Sequence, residues 1–176
     1  FMLRGNPADK VDDLLSILEE NGGGISTVFA HHTEKDMNYV LQKPWCSVGS
    51  DGSAYAIEGP LRVGNPHPRN FGTFPRVLGR YVRQQKLLTL EDAVRKMTSL
   101  NANKVGLRDR GLIKIGFAAD IVIFDAQTII DQSTYTAPFA YPFGIPYVLV
   151  NGLLTIKDGE HTGARAGTTL RRITTR

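Results

Sequence analysis

Apolar residues recur at helical spacing near the start of the chain. Asn6-Pro7 supplies a start signal, and Gly22-Gly23-Gly24 ends a pattern carried by Val11, Leu14, Leu15 and Leu18. This i, i+3, i+4, i+7 spacing predicts an amphipathic helix. The short apolar run at residues 25–29 then predicts a buried strand.

A second helix and a second strand follow. Residues 33–36 resemble a capping box, which predicts a helix with Met37, Val40 and Leu41 facing inward, and Lys43-Pro44 ends it. Residues 45–50 form the next apolar run and predict a strand. Since the order is helix, strand, helix, strand, a right-handed parallel crossover is expected.

Residues 52–70 form a long loop rich in Gly and Pro, which favours a functional role. Three helices are predicted after it. We expect Thr73 to cap the first, Thr89 the second, and Ser99 a short third helix that ends near Gly106. The apolar stripe of the first consists of Phe74, Val77, Leu78, Tyr81 and Val82.

The pattern changes to β after Arg110. Residues 111–124 alternate between apolar and polar, and residues 147–156 contain Asn151-Gly152, the signal for a two-residue type I′ hairpin. The connection at residues 125–144 reads as irregular, and the tail at 163–176 as loose. We therefore expect one domain at residues 1–110 and a small antiparallel β unit at residues 111–176.

Composition narrows the class of protein. The chain is 41% hydrophobic and 22% charged, with a net charge of +4 and a single cysteine. It contains no membrane-length apolar run and no signal segment, so a cytoplasmic protein without a membrane partner is expected. Cys46 reads as an inert thiol. We expect Arg76, Arg80 and Arg83 to form a solvated face of a helix. The sequence contains no basic cluster interleaved with aromatic residues, so no nucleic-acid partner is expected. Because Phe1 precedes Met2, we expect a piece of a longer chain.

Asp51 ends the apolar run at residues 45–50, and the pattern alone allows two interpretations. Asp-Gly is a common turn dipeptide, so Asp51-Gly52 could simply form a turn. A carboxylate at the C-terminal end of a buried parallel strand could equally be catalytic, because that end carries the chemistry in α/β folds.

Several motifs occur in one order along the chain. They are Gly49-Ser50-Asp51-Gly52, His67-Pro68-Arg69, residues 72–80, 93–100, 106–111 and 119–125, Val150-Asn151-Gly152, and residues 159–163. In this order they resemble the C-terminal part of N-acyl-D-amino-acid deacylases (D-aminoacylases), a branch of the amidohydrolase superfamily. The resemblance covers the chain from about Ser26, and Ala166, where relatives often have proline, is a small departure.

The resemblance implies an α/β fold: the C-terminal part of a distorted (β/α)₈ TIM-like barrel, plus part of a small β-sandwich-like domain. Residues 45–51 would be the eighth barrel strand. Asp51 matches the aspartate that shuttles the proton and can touch the metal as a secondary ligand. Arg69 matches the arginine that receives the substrate carboxylate, a task that suits a planar guanidinium fork.

The resemblance also implies zinc in the complete enzyme. The family's main ligands are a His-x-His pair, a cysteine and two further histidines, and we expect them upstream of Phe1. Adjacent His31 and His32 cannot both face one ion from a strand. His67 is expected to orient its loop rather than bind zinc, and His161 to be structural or exposed.

The function expected from the resemblance is hydrolysis of the amide bond of N-acyl-D-amino acids. Asp51 would take a proton from metal-bound water and return it to the leaving amine, while Arg69 would hold the small-molecule substrate. The chain would need the missing N-terminal barrel portion as a partner and would be inactive alone. The alternatives are a dihydroorotase-like or hydantoinase-like cyclic amidase, and a non-catalytic truncated polypeptide.

Overall fold

The computed structural model describes residues 7–24 and 32–171. Two compact units are present, residues 1–34 and 35–176. In the first unit, α1 (Pro7–Glu20) confirms the predicted helix. It ends in a Schellman motif, in which Gly23 N–H donates to the Leu18 carbonyl and Gly22 N–H to that of Glu19. The strand predicted at residues 25–29 lies outside the described residues.

The helix predicted after Thr33 is confirmed as α2 (Glu34–Leu41). Leu41 is buried as expected, whereas Met37 and Val40 are more than one-third exposed. The strand predicted at residues 45–50 is wrong, because Trp45 belongs to a turn and residues 46–50 pair with no strand among the described residues. A strand requires a neighbouring backbone, and the described part of the chain places helices beside this segment instead.

Helices follow the loop, beginning with a short 3₁₀ turn, Gly59–Leu61, inside it. Helix α3 (Arg69–Arg76) continues directly into a π-helix, Val77–Gln84. The expected cap at Thr73 is wrong: the helix starts four residues earlier, and the Thr73 hydroxyl donates to the Arg69 carbonyl. Of the predicted apolar stripe, Val77, Leu78 and Tyr81 are buried as their spacing predicted, whereas Phe74 is 41% exposed.

The last two helices are α4 (Leu90–Met97) and α5 (Ser99–Val105). Thr89 caps α4 as predicted, since its hydroxyl accepts the Asp92 N–H at 3.2 Å. Ser99 is the first residue of α5 rather than its cap, because Thr98 precedes the helix. Gly106 ends α5 in the left-handed conformation, which glycine adopts without steric cost.

A four-stranded antiparallel sheet confirms the small β unit. Its order is β1 (Ile121–Ile123), β2 (Tyr147–Val150), β3 (Leu153–Lys157) and β4 (Glu160–His161). Asn151 and Gly152 both have positive φ, which confirms the predicted type I′ hairpin. A second turn of this kind, at Asp158-Gly159, was not predicted although Asp-Gly signals it.

The β prediction for residues 111–124 is too long. Only the last part forms a strand, and Ile113 and Ile115 are 91% and 101% exposed. Gly111 and Gly116 have φ of +81° and +85°, outside the β region, so the alternating pattern does not extend as one strand.

The connection at residues 125–144 is irregular, as predicted, and packs on the π-helix. Ile129 is buried in the hydrophobic core with Leu78 and Tyr81. The approach is close at Gly79, where a Cβ atom would lie 2.6 Å from the Ile129 carbonyl oxygen.

The division of the chain into two domains at residue 110 remains a prediction. Within the described ranges, no helix is long and apolar enough to cross a membrane.

The solvated face predicted for Arg76, Arg80 and Arg83 is wrong, because all three residues are half-buried and Arg80 lies over the Tyr81 ring, 5.9 Å from its centroid. Arg76 pairs with Asp131 at 2.9 Å. The Arg83 guanidinium donates to the carbonyls of Ala126 and Ile129 at 3.2 and 2.6 Å. Arg76 and Arg83 therefore bind the irregular connection to the helices. This is a contact between distant segments, which helical spacing does not reveal.

Candidate active site

Asp51 lies where the segment at residues 45–50 meets the long loop. Its backbone has a φ of +50°, a left-handed conformation that Asp tolerates better than most residues. Its side chain is 84% exposed. The Ser50 hydroxyl accepts the Gly52 N–H at 3.2 Å and helps to close the turn. Asp51 is therefore both a turn residue and an accessible carboxylate.

Arg69 is the first residue of α3, and its guanidinium contacts Asp51. The Arg69 Nη2 atom lies 2.8 Å from Asp51 Oδ2, and 43% of the arginine side chain is exposed. The two predicted site residues are therefore adjacent in space, which their sequence separation does not dictate. This ion pair forms the centre of the candidate site.

Asn70 closes the loop that separates these two residues. Its Oδ1 atom accepts the Ser53 N–H at 2.6 Å, and its Nδ2 atom donates to the His67 carbonyl at 2.8 Å. Sequence reasoning did not identify Asn70, because a single Asn after a Pro-Arg pair carries no distinct signal. By joining the two ends of the loop, it brings Arg69 to Asp51.

His67 uses both ring nitrogens for structural contacts. Its Nδ1 atom accepts the Arg69 backbone N–H at 3.0 Å, and its Nε2 atom lies 3.1 Å from the Tyr135 hydroxyl. Burial, followed by the nearby Arg69 charge, lowers the pKa of His67, and Asp51 opposes that shift. This arrangement supports the prediction that His67 orients the loop. Tyr135 was not identified from sequence.

Donors from α4 and α5 hold the segment that leads to Asp51. Lys96 donates to the carbonyls of Lys43 and Cys46, the latter at 3.0 Å. Asn101 donates to the Val48 carbonyl at 2.8 Å, and Lys104 to that of Trp45 at 2.7 Å. These side chains satisfy backbone groups that a strand would otherwise satisfy.

A cleft of about 330 Å³ opens beside Arg69. Helix α3 contributes Thr73 and Arg76 to one wall, and the irregular connection contributes Asp131 and Tyr135 to the other. Both arginines are ion-paired, Arg76 with Asp131 and Arg69 with Asp51. The Asp51 carboxylate is 84% exposed and the Asp131 carboxylate 11%, so the pair at Arg69 is the one more open to solvent and to a competing anion. The cleft therefore places space for a small organic acid next to the ion pair.

The described residues do not form a metal site. None of them gathers three or more His, Cys, Asp or Glu side chains around one point. His31 lies outside the described ranges, and His161 is exposed in β4, as expected. Cys46 is half-buried, outside any strand. Asp51 could give a metal only one carboxylate, which already contacts Arg69.

Comparisons with known proteins extend this description. The amidohydrolase family profile matches residues 46–156. N-acyl-D-glutamate deacylase of Alcaligenes xylosoxydans xylosoxydans is 45% identical over 139 residues, which cover 79% of this chain and 27% of that protein. A D-aminoacylase structure superposes with a TM-score of 0.72 at 42% identity, covering 80% of this chain and 28% of its own.

A second solved structure is N-acyl-D-glutamate deacylase from Bordetella bronchiseptica, complexed with zinc and a phosphonate that mimics the tetrahedral intermediate. It matches with a TM-score of 0.69 at 41% identity, over 79% of this chain and 28% of that one. The chain thus spans little more than a quarter of each of these three proteins. The profile match and these identities show that this chain belongs to the amidohydrolase family.

Proposed function

We propose that the protein containing this chain hydrolyses the amide bond of N-acyl-D-amino acids, releasing a carboxylate and a free D-amino acid. The observation that carries the proposal is the contact between Asp51 and Arg69. A carboxylate that can move a proton lies beside a guanidinium that can bind the substrate's own carboxylate. The similarity to deacylases of acidic D-amino acids supports the substrate class.

Asp51 is assigned both proton transfers. Its exposed carboxylate accepts a proton from the attacking water as the oxygen bonds to the acyl carbon. The same group then returns the proton to the nitrogen of the leaving amine as the carbon–nitrogen bond breaks. One residue therefore serves as base and then as acid, with no net change in its protonation.

Arg69 is assigned to the substrate carboxylate. Its planar fork offers two parallel donors, which fixes both the position and the direction of a bound carboxylate. A carboxylate that takes over this fork releases Asp51 from its ion pair. Binding would thereby free the base that the reaction needs, and anchoring one end of the substrate would select the stereoisomer.

The remaining parts of the site are proposed to come from the rest of a complete (β/α)₈ barrel, of which this chain would be the C-terminal portion. We propose zinc as its metal, because a related deacylase was solved with zinc. The described residues do not themselves fit a zinc site. Only the proton transfers and carboxylate binding are therefore assigned to this chain, which alone is expected to be inactive.

Asp51→Asn in the complete protein tests the proton transfers. Asn tolerates the left-handed backbone of this position, so the turn is expected to persist. Turnover should fall about 10²- to 10⁴-fold, the usual effect of losing a general base, while metal content stays near normal. Near-normal turnover would reduce Asp51 to a turn residue. Loss of metal together with activity would make it chiefly a ligand.

Arg69→Lys tests carboxylate binding. A lysine keeps the charge but loses one of two parallel hydrogen bonds. The specificity constant should therefore fall by an amount that corresponds to about 1.5–3 kcal/mol of lost transition-state stabilisation. The control substrates are N-acyl amines, which lack the carboxylate, and their hydrolysis should change little. An equal fall for both substrates would exclude this role for Arg69. Faster turnover of cyclic amides than of N-acetyl-D-amino acids would favour a cyclic amidase.

A further inference from the structure

The turn at residues 133–138 is closed by its own hydrogen bonds. Buried Ser133 donates its hydroxyl to the Pro138 carbonyl at 2.6 Å. Thr134 N–H donates to the Ala137 carbonyl, and Ala137 N–H donates to the Thr134 hydroxyl, at 3.1 and 3.0 Å. These hydrogen bonds restrict the backbone of the turn, which places Tyr135 beside the loop that precedes Arg69.

Tyr135 contacts His67 through both its hydroxyl and its ring. The hydroxyl oxygen lies 3.1 Å from His67 Nε2. The two rings meet edge to face, with centroids 5.0 Å apart and an interplanar angle of 77°. Hydrogen bond and ring contact together determine where the imidazole lies and in which direction its two nitrogens point.

The orientation of His67 in turn determines where α3 begins. Nδ1 accepts the Arg69 N–H at 3.0 Å, one of the N-terminal donors that have no partner within a helix. Because Nδ1 accepts, the neutral ring carries its proton on Nε2 and donates it to the Tyr135 hydroxyl. The lowered pKa of His67 favours this neutral form. Arg69 and Tyr135 are therefore linked through one imidazole.

We propose that Tyr135 is a positioning residue for Arg69, acting through the ring of His67. This inference rests on the proposed function, because it assumes that Arg69 binds the substrate carboxylate. Tyr135 itself belongs to the connection between β1 and β2, 66 positions after Arg69. The irregular connection thus contributes to substrate affinity without supplying a catalytic group.

Tyr135→Phe in the complete enzyme tests the proposal, because it removes the hydroxyl and retains the ring. The KM for N-acyl-D-amino acids should rise about 2- to 10-fold, as expected for one lost hydrogen bond, with kcat nearly unchanged. For N-acyl amines, which lack the carboxylate, KM should not change. Tyr141→Phe is the matched control: it lies in the same connection, but its ring packs on Phe71 instead of His67.

Two His67 variants separate positioning from general stability. His67→Asn places an oxygen near the site of Nδ1 but loses the contact with Tyr135, so it should raise KM about as much as Tyr135→Phe. His67→Leu also removes the acceptor and should raise KM further. Unfolding midpoints measured for all variants show whether fold loss explains the kinetics. Equal KM values for the Asn and Leu variants would overturn the proposal.

The outcomes also distinguish this inference from the proposed function. If Arg69→Lys removes the preference for carboxylate substrates while Tyr135→Phe behaves as Tyr141→Phe does, only the role of Tyr135 is refuted. If Arg69→Lys leaves that preference intact, the proposed function itself fails. A fall in kcat at unchanged KM in Tyr135→Phe would also refute positioning through Arg69.

Discussion

Replacing Lys96 by Met should destabilise the fold, because Lys96 is a fully buried ammonium with specific acceptors. Its side chain has no exposed surface, and it donates to the carbonyls of Lys43 and Cys46. Asp92 Oδ2 lies 3.7 Å from Lys96 Nζ, but Asp92 Oδ1 is paired with Arg95 at 2.8 Å, so this carboxylate offsets the buried charge only in part. Met keeps a similar length and apolar character, so the change removes mainly the charge and its hydrogen bonds.

The magnitude follows from the groups left without partners. A buried acceptor that loses its donor costs about 1–3 kcal/mol, so two carbonyls would cost about 2–6 kcal/mol. Lys43 and Cys46 are only half-buried, and removing a buried charge relieves desolvation. Both effects reduce the cost, and we expect a loss of about 2 kcal/mol in the free energy of unfolding.

Lys104→Met is the matched control. Lys104 is exposed, yet it also donates to this segment, at the Trp45 carbonyl and the Ser47 hydroxyl. Water replaces an exposed donor, so its loss should cost below about 1 kcal/mol. Urea denaturation of both variants gives the comparison, and each loses one positive charge. Equal losses would refute the assignment of Lys96 as a buried support for the segment.

Three further predictions concern the fold and the isolated chain. Gly79→Ala should cost about 1–3 kcal/mol, because its Cβ would lie 2.5 Å from Ile130 Cδ1, whereas Gly49→Ala meets no atom within 4 Å; thermal denaturation should separate the two. The Gln127 N–H, and then the Thr128 hydroxyl, donate to Asp125 and lower its pKa below the ordinary value of 3.8. The stability that these hydrogen bonds give the folded state is complete above that value and is lost as the pH falls through the folded pKa. Asp125→Asn should therefore lose less stability than the parent between about pH 6 and about pH 2 in urea titrations; an identical loss would contradict the assignment. Finally, this chain alone should neither hydrolyse N-acyl-D-amino acids nor retain one zinc per chain, and measurable turnover with stoichiometric metal would refute that expectation.

Local features were predictable from the sequence because the residues that cause them lie next to each other. Thr89 caps α4 through a group three residues away, and Asn151-Gly152 fixes a turn by its own backbone preference. The prediction of a strand at residues 45–50 failed because strand pairing depends on a second backbone segment. An apolar run indicates burial, and Val48 is indeed buried, but it does not show what lies beside it.

The same distinction between local and long-range features applies to the candidate site. Asp51 and Arg69 were singled out from a resemblance, but their contact depends on how Asn70 closes the loop. Tyr135 and Lys96 were missed because each acts on a segment more than 45 residues away. Side-chain identity alone does not show which distant carbonyl or ring a donor will reach.

The support of the Asp51 segment by α4 and α5 has a consequence for the order of folding. The donors that hold residues 43–48 lie 50–59 positions later in the chain. At roughly 5–20 residues per second, a ribosome needs about 3–12 s to add that stretch. A hairpin such as β2–β3 closes within about 1–10 μs of its synthesis. During synthesis, the segment that leads to Asp51 therefore waits seconds for these donors, with its carbonyls hydrogen-bonded to water, and its final position is fixed only after α4 and α5 have formed.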